Sequence, residues 1–368
     1  MKITDVEVIQ FRTSRQGRGE TTSSIIRIST DEGVRGHMPG GDKARVEGFF
    51  KGLLVGEDPL NSEKIWHRMD QRCTTSRGQG ELDMGQVDCA LWDLKGQIAG
   101  MPVYQLLGGT REKVEAYAST APDLGGPEVY TDLARSCVER GYRAFKIHAN
   151  IFRNPHTRES VRQQPGFPRE DVEICRAVRE AVGDDITLML DPFGVYTLEE
   201  SLWVARELEE LDFYWLEHPM VETRVEAYRK LTEQTQIAIC SPEHVGGGPF
   251  ARAEWLLQRA CDMVRTDVNY GGITGCWKLI NVCQLYGAQC ELHYVGAPHL
   301  HLEAAAPQAT CRYYERGLLR AEIDYEWVPP HLTALADPMD DEGFVHVSQE
   351  PGLGIAWDWD YIEANRLD

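Results

Sequence analysis

No stretch of this 368-residue chain approaches the roughly 18 apolar residues that a membrane-spanning helix requires. A transmembrane anchor is therefore not expected. Positive charge is scarce as well, with 38 Lys and Arg against 58 Asp and Glu and a formal net charge of −20. Binding to nucleic acid needs a basic face for the phosphates, so nucleic acid is not expected as a partner. The acid excess reads first as a solvated exterior, and a cleft within it can carry a field of the opposite sign. Also missing is any CxxC pair. The ten cysteines are scattered between 73 and 311, several of them inside apolar runs. Buried, reduced thiols explain that spacing better than a disulfide framework or a zinc cluster. The opening MKITDVEVIQF alternates as a strand does and lacks the apolar core of a signal peptide, so the expectation is a cytoplasmic protein.

What is present divides the chain by rhythm. Residues 2–11, 22–30 and 34–38 read as strands, with TSRQGRGETT as a surface loop between the first two and Asp31-Glu32-Gly33 as the next turn. Helical patterns follow over 42–54, 61–71 and 82–99. From about 115 short apolar runs alternate with amphipathic helices: VEAYAS, AFKIHA, TLMLDPF, FYWLEHP, IAICSPE, MVRTDVN and QCELHYV. Strands buried on both faces, each followed by a helix, imply a parallel sheet, and this many units fit a closed barrel. The expected architecture is α/β: a modified (β/α)-barrel over 115–330 and an N-terminal α+β capping domain over 1–114. Residues 331–368, with their WDWDY stretch, are expected to pack back on that capping domain.

In such a barrel the chemistry sits at the carboxyl ends of the strands. TLMLD ends at Asp191, FYWLE at Glu217 and IAICSPE at Glu243, each 26 residues from the last. A single acid after a strand is usually a helix cap or a solvated loop residue. Three at one repeat spacing converge on the barrel mouth, where unpaired carboxylates repel and call for a cation. Oxygen-only ligands favour Mg²⁺. MVRTD ends at Asp267 and ELH at His293, again 26 residues apart. On neighbouring strands Asp267 would accept from one ring nitrogen of His293 and leave the other free for proton transfer. Opposite them, Lys146 and His148 share one face of the second strand, and Glu315 stands where the eighth strand should end. A zinc-type barrel hydrolase is disfavoured, because VEAYAS offers no His-x-His.

Taken in order, DCALWDLKGQIAGMPVYQLLGGTREKVEAYAS (88–119), the Asp191/Glu217/Glu243 series, DVNYGGITG (267–275) and EPGLGIAWDW (350–359) resemble the mandelate racemase/muconate lactonizing branch of the enolase superfamily over the whole chain. That resemblance implies a carboxylate substrate on Mg²⁺ and an enediolate formed by loss of the adjacent proton. It implies that Lys146 adds positive charge near a substrate oxygen, and that Glu315 is protonated and donates a hydrogen bond. It also implies a homo-oligomer. The chain departs from many relatives in having Lys-x-His rather than Lys-x-Lys on the second strand, His218 after Glu217, and Pro192-Phe193 after Asp191. His148 is read as a second acid/base group, with hydroxyl binding as the alternative. Elimination of water from an aldonic or aldaric acid, giving a 2-keto-3-deoxy acid, is preferred. A racemase, epimerase or cycloisomerase using the same chemistry is the alternative. His218, His244 and the loop 150–169 are expected to offer donors to substrate hydroxyls, with 16–20 closing the other side.

Overall fold

The computed structural model describes residues 1–17, 19–161, 166–323 and 325–367. Strands β1 (Ile3–Arg15), β2 (Gly19–Thr30) and β3 (Arg35–Pro39) form one antiparallel sheet in that order. Alternation gives it two apolar faces. Val6, Val8, Ile26 and Ile28 join the main core, while Ile9, Phe11 and Ile25 pack on Ile362 near the carboxyl terminus. The surface loop expected at TSRQGRGETT is mostly ribbon, because Arg12 pairs with Thr22, Thr13 with Thr21 and Ser14 with Glu20. β-Branched threonines on a two-stranded ribbon hold it extended well past the last apolar residue. The 16–20 loop thus shrinks to a hairpin tip. A Cβ built on its Gly17 would lie 3.4 Å from Ile323, so the tip rests against the segment after the last barrel strand. Arg18 lies outside the described residues.

Eight parallel strands follow: β4 (Lys113–Thr120), β5 (Ala144–Ile147), β6 (Thr187–Leu190), β7 (Phe213–Glu217), β8 (Ala238–Cys240), β9 (Met263–Thr266), β10 (Gln289–Leu292) and β11 (Tyr313–Leu319). Ladders connect them from β10 through β9 down to β4 and then β11. At the β10–β11 seam a side chain does part of the closing. The buried Glu291 carboxylate accepts from the backbone N–H of Arg312 (3.0 Å) and Tyr313 (3.3 Å), beside one backbone bond from Cys290 to Thr310 (2.7 Å). Strand β12 (Phe344–His346) pairs antiparallel with β4, and helix Trp359–Ala364 lies on β1. The carboxyl-terminal segment therefore touches the barrel as well as the cap.

Helix Glu81–Ala99, which carries DCALWDLKG, joins the two units. Asp88 accepts from the Thr274 N–H and hydroxyl, both at 2.8 Å, and Trp92 donates to the same hydroxyl at 2.8 Å. Gly85 sits so near the 268–269 backbone that a Cβ would fall 2.2 Å from the Val268 carbonyl oxygen. All ten cysteines are buried and unpaired. No helix among the described residues is long and apolar enough to cross a membrane.

Burial pushes the carboxyls of Glu291 and Asp88 up to about 7. A carboxyl whose folded value is raised binds its proton more tightly in the folded state. Its contribution is full below the unfolded value and is lost as pH rises through about 7. Stability is therefore expected to fall from about pH 5 to about pH 8, with Glu291 supplying on the order of 3 kcal/mol. Glu291→Gln keeps an acceptor that cannot ionise and should flatten that slope in urea titrations at the two pH values. Equal slopes for variant and parent would refute the assignment.

Candidate active site

Inside the barrel, inward side chains stack in layers along each strand. The lowest is apolar and aromatic, with Ala144, Met189, Trp215, Met263 and Tyr313 among its members. Two residues further along the same strands the chain switches to charge: Lys146 follows Ala144, Asp191 follows Met189, Glu217 follows Trp215, Arg265 follows Met263 and Glu315 follows Tyr313. Two residues further again come His148 and Asp267. The alternation that builds the plug therefore also aims the reactive groups at the mouth.

Lys146 Nζ lies 3.0 Å from Glu315, 3.1 Å from Glu217 and 3.7 Å from Asp191. Burial works against its ammonium, but the Glu217 and Glu315 carboxylates outweigh burial and hold the group well above its ordinary range. Three carboxylates thus surround the Lys146 amine. Arg265 was not singled out from sequence, yet it is fully buried at the centre of the site. Its Nε is 2.8 Å from Glu217 and its Nη2 2.6 Å from Glu315, and it donates to the Leu292 carbonyl (2.7 Å) and to Tyr117 Oη (2.9 Å). An Arg two residues before Asp267 inside an apolar strand was the available signal.

This network gives Glu315 surroundings different from those expected of a protonated donor. Burial alone favours the neutral acid, but Lys146 and Arg265 on either side hold the carboxyl well below the usual range. Tyr294 N–H adds a hydrogen bond of 2.8 Å. Glu315 sits between two cationic side chains, with Oε2 accepting from Arg265 and from the Tyr294 N–H.

The three acids Asp191, Glu217 and Glu243 bring carboxylate oxygens within 4.8 Å of one another, all buried. They are not unpaired, as the sequence suggested; each has a cationic or imidazole partner. His148 Nε2 is 2.9 Å from Asp191, Arg265 and Lys146 hold Glu217, and His293 Nε2 is 2.9 Å from Glu243. Burial raises the Glu217 carboxyl, while His148 beside Asp191 and His293 beside Glu243 more than offset burial and lower those two.

His293 Nδ1 meets Asp267 at 2.9 Å, so the structure brings the pair together across β9 and β10. Asp267 is fixed in turn by the Asn269 N–H at 2.8 Å and by His299 Nε2 at 3.4 Å. His299 comes from helix Ala297–Ala305, which was not read from the sequence. Burial disfavours the charged imidazole, yet Glu243 and Asp267 push His293 up to about 10.

His148, Asp191, Glu243, His244 and His293 border one cavity of about 270 Å³, with Ile151, Phe152 and Phe193 along its apolar side. The loop 150–169 contributes differently from expectation. Asp123 accepts from three successive N–H groups, Ile151 (3.0 Å), Phe152 (3.0 Å) and Arg153 (3.1 Å), which sets the two apolar side chains against the cavity. Arg153 and Arg158 donate to backbone carbonyls of Arg158 and Asp123. The loop's own backbone and its anchor thus absorb those donors; residues 162–165 lie outside the described residues. His218 Nδ1 is 3.4 Å and His244 Nε2 3.1 Å from Glu243, one imidazole buried and the other partly exposed.

Comparison with known proteins agrees with this geometry. The enolase C-terminal domain-like model matches residues 129–361, and the mandelate racemase / muconate lactonizing enzyme N-terminal domain matches 1–108. A crystal structure of D-glucarate dehydratase from Agrobacterium tumefaciens complexed with magnesium superimposes with a TM-score of 0.93 at 37% identity, covering all of both chains. D-xylonate dehydratase of Haloferax volcanii is 27% identical, over 100% of this chain and 90% of that protein. D-galactarolactone cycloisomerase of Agrobacterium fabrum is 28% identical, over 93% and 91% respectively. With both of its domains matched in order and the barrel mouth built as described, the chain belongs to the mandelate racemase / muconate lactonizing enzyme family of the enolase superfamily.

Proposed function

We propose that the protein is a Mg²⁺-dependent sugar-acid dehydratase. The observation that carries the reading is the pair of imidazoles, His148 and His293, bordering one cavity above the Asp191/Glu217/Glu243 set. Those three ligands fit the ion: all their donors are oxygen, and Glu243 Oε2 is buried without a hydrogen-bond partner. Bound there, Mg²⁺ would withdraw charge from the substrate carboxylate and so acidify the neighbouring C–H bond.

The chain's own groups do the rest. His293, held in one tautomer by Asp267, and His148 share two proton transfers. One removes the proton beside the carboxylate, and the other protonates the departing β-hydroxyl, which leaves as water. The resulting enol tautomerises to a 2-keto-3-deoxy acid. Lys146 places positive charge near a substrate oxygen, and Glu315 keeps Lys146 and Arg265 in position. His218 and His244 face the hydroxyl-bearing part of the substrate.

The test is a panel of aldonic and aldaric acids with Mg²⁺, assayed for 2-keto acid. Aldaric acids head the panel because the 37%-identical relative is named for one. Expected is keto product from at least one stereoisomer, lost on chelation and restored by Mg²⁺. A panel with no keto product would defeat the dehydratase reading. An opposed imidazole pair also suits an epimerase or cycloisomerase, and exchange of the C2 proton with solvent deuterium without loss of water would select that alternative.

A further inference from the structure

Beside the three-carboxylate set lies a second group of ligand atoms. His218 Nδ1, a Glu243 carboxylate oxygen and His244 Nε2 all fall within 4.8 Å of one another. Two of its atoms are buried, His218 Nδ1 and Glu243 Oε2, and they meet in an ion-pair contact at 3.4 Å that lacks hydrogen-bond alignment. Buried polar atoms without an aligned hydrogen bond are costly, and two that converge beside a third ligand atom mark a place suited to a cation.

The surroundings hold these atoms firmly. Glu222 accepts from the backbone N–H of both Glu243 and His244 at 2.6 Å. Arg252, fully buried, donates to the Glu243 carbonyl at 2.6 Å and to the Val245 carbonyl at 3.0 Å. The turn carrying two of the three ligands is thus clamped through its amides on one side and its carbonyls on the other. His218 is packed by Gly194, where a Cβ would come within 2.8 Å of Nε2, so the ring presents Nδ1 to Glu243. The Phe193 ring covers both imidazoles, with centroids 5.6 Å from His218 and 5.2 Å from His244.

We propose that His218 Nδ1, Glu243 and His244 Nε2 form a second metal site that takes a borderline transition-metal dication such as Zn²⁺. Two imidazoles and a carboxylate suit Zn²⁺ and leave a fourth position open. Mg²⁺ is hard and keeps to oxygen, so it prefers the neighbouring all-carboxylate set. Glu243 belongs to both groups, so the two sites share one carboxylate. The site stands independently of the dehydratase reading, because metal retention is measured without turnover.

The experiment uses the full chain, stripped with chelator, reloaded with excess Mg²⁺ and titrated calorimetrically with Zn²⁺. Expected is one Zn²⁺ per chain retained against Mg²⁺. His218→Asn and His244→Asn should each weaken it at least about tenfold, since groups merely supporting a ligand already cost about 10–100-fold. Glu217→Gln should lower Mg²⁺ retention and leave Zn²⁺ uptake in place. Circular dichroism checks that each variant is folded, and Gln replaces Asn where it is not. Zn²⁺ displaced by Mg²⁺, Zn²⁺ held equally by either His variant, or joint loss of both ions in Glu217→Gln would each overturn the site.

Discussion

His293→Asn is expected to lower kcat/KM for the dehydrated acid by about 10²–10⁴-fold, the usual worth of a positioned acid/base group. The substitution is close to isosteric at the contact that matters. An Asn amide can still donate to Asp267, which now meets Nδ1 at 2.9 Å, but it cannot carry a proton to or from carbon. Substrate binding, read by calorimetry with the Mg²⁺-loaded protein, should persist. Binding kept with turnover lost marks His293 as a proton carrier; a variant with full turnover would remove it from the mechanism. His148→Asn supplies the complementary result. If His148 is the second acid/base, its loss separates the two half-reactions, and exchange of the C2 proton survives in only one of the variants. If His148 binds a hydroxyl, KM rises and kcat holds.

Much of the site was legible because a βα repeat converts sequence spacing into spatial convergence. Asp191, Glu217, Glu243, Asp267 and His293 each sit at a strand end, so a repeat of roughly constant length brings them to one rim. Lys146 and His148 were legible for a second reason, the period of two along β5. What escaped depends on neighbours far away in sequence. The cationic neighbours of Glu315, Lys146 and Arg265, lie on other strands, and nothing in CRYYERGL reveals them. Glu291 reads as an ordinary charged residue until β11 is placed beside it without a ladder. The arginines of the loop after β5 have the composition of a polar lid, but the Asp123 clamp turns apolar Ile151 and Phe152 to the cavity. Composition gave the donors and could not say where they point.

Arg265→Met is expected to destabilise the fold by about 3–5 kcal/mol, the range for removing one partner from a buried ion pair. The loss is not a matter of volume, since Met fills much of the same space. It arises because Glu217 and Glu315 are both buried and would be left with one cationic side chain, Lys146, between them. Tyr117 Oη and the Leu292 carbonyl lose a donor as well. Arg265→Lys should recover only part, because one ammonium cannot reproduce a fork that reaches both carboxylates. The companion variant is Arg265→Met with Glu315→Gln, which removes the stranded charge and should be more stable than Arg265→Met alone. A double-mutant cycle in urea then gives the coupling directly. The pH dependence has a defined sign. Glu315 is held well below its ordinary value of 4.5, so its contribution is present above that pH and is lost as pH falls through the folded value. Without Arg265 the carboxyl is held less far down. The deficit of the variant should therefore be largest near neutrality and shrink in acid, where parent and variant are protonated alike. A deficit under about 1 kcal/mol, or one that Glu315→Gln deepens, would show that Arg265 is not what keeps these carboxylates charged.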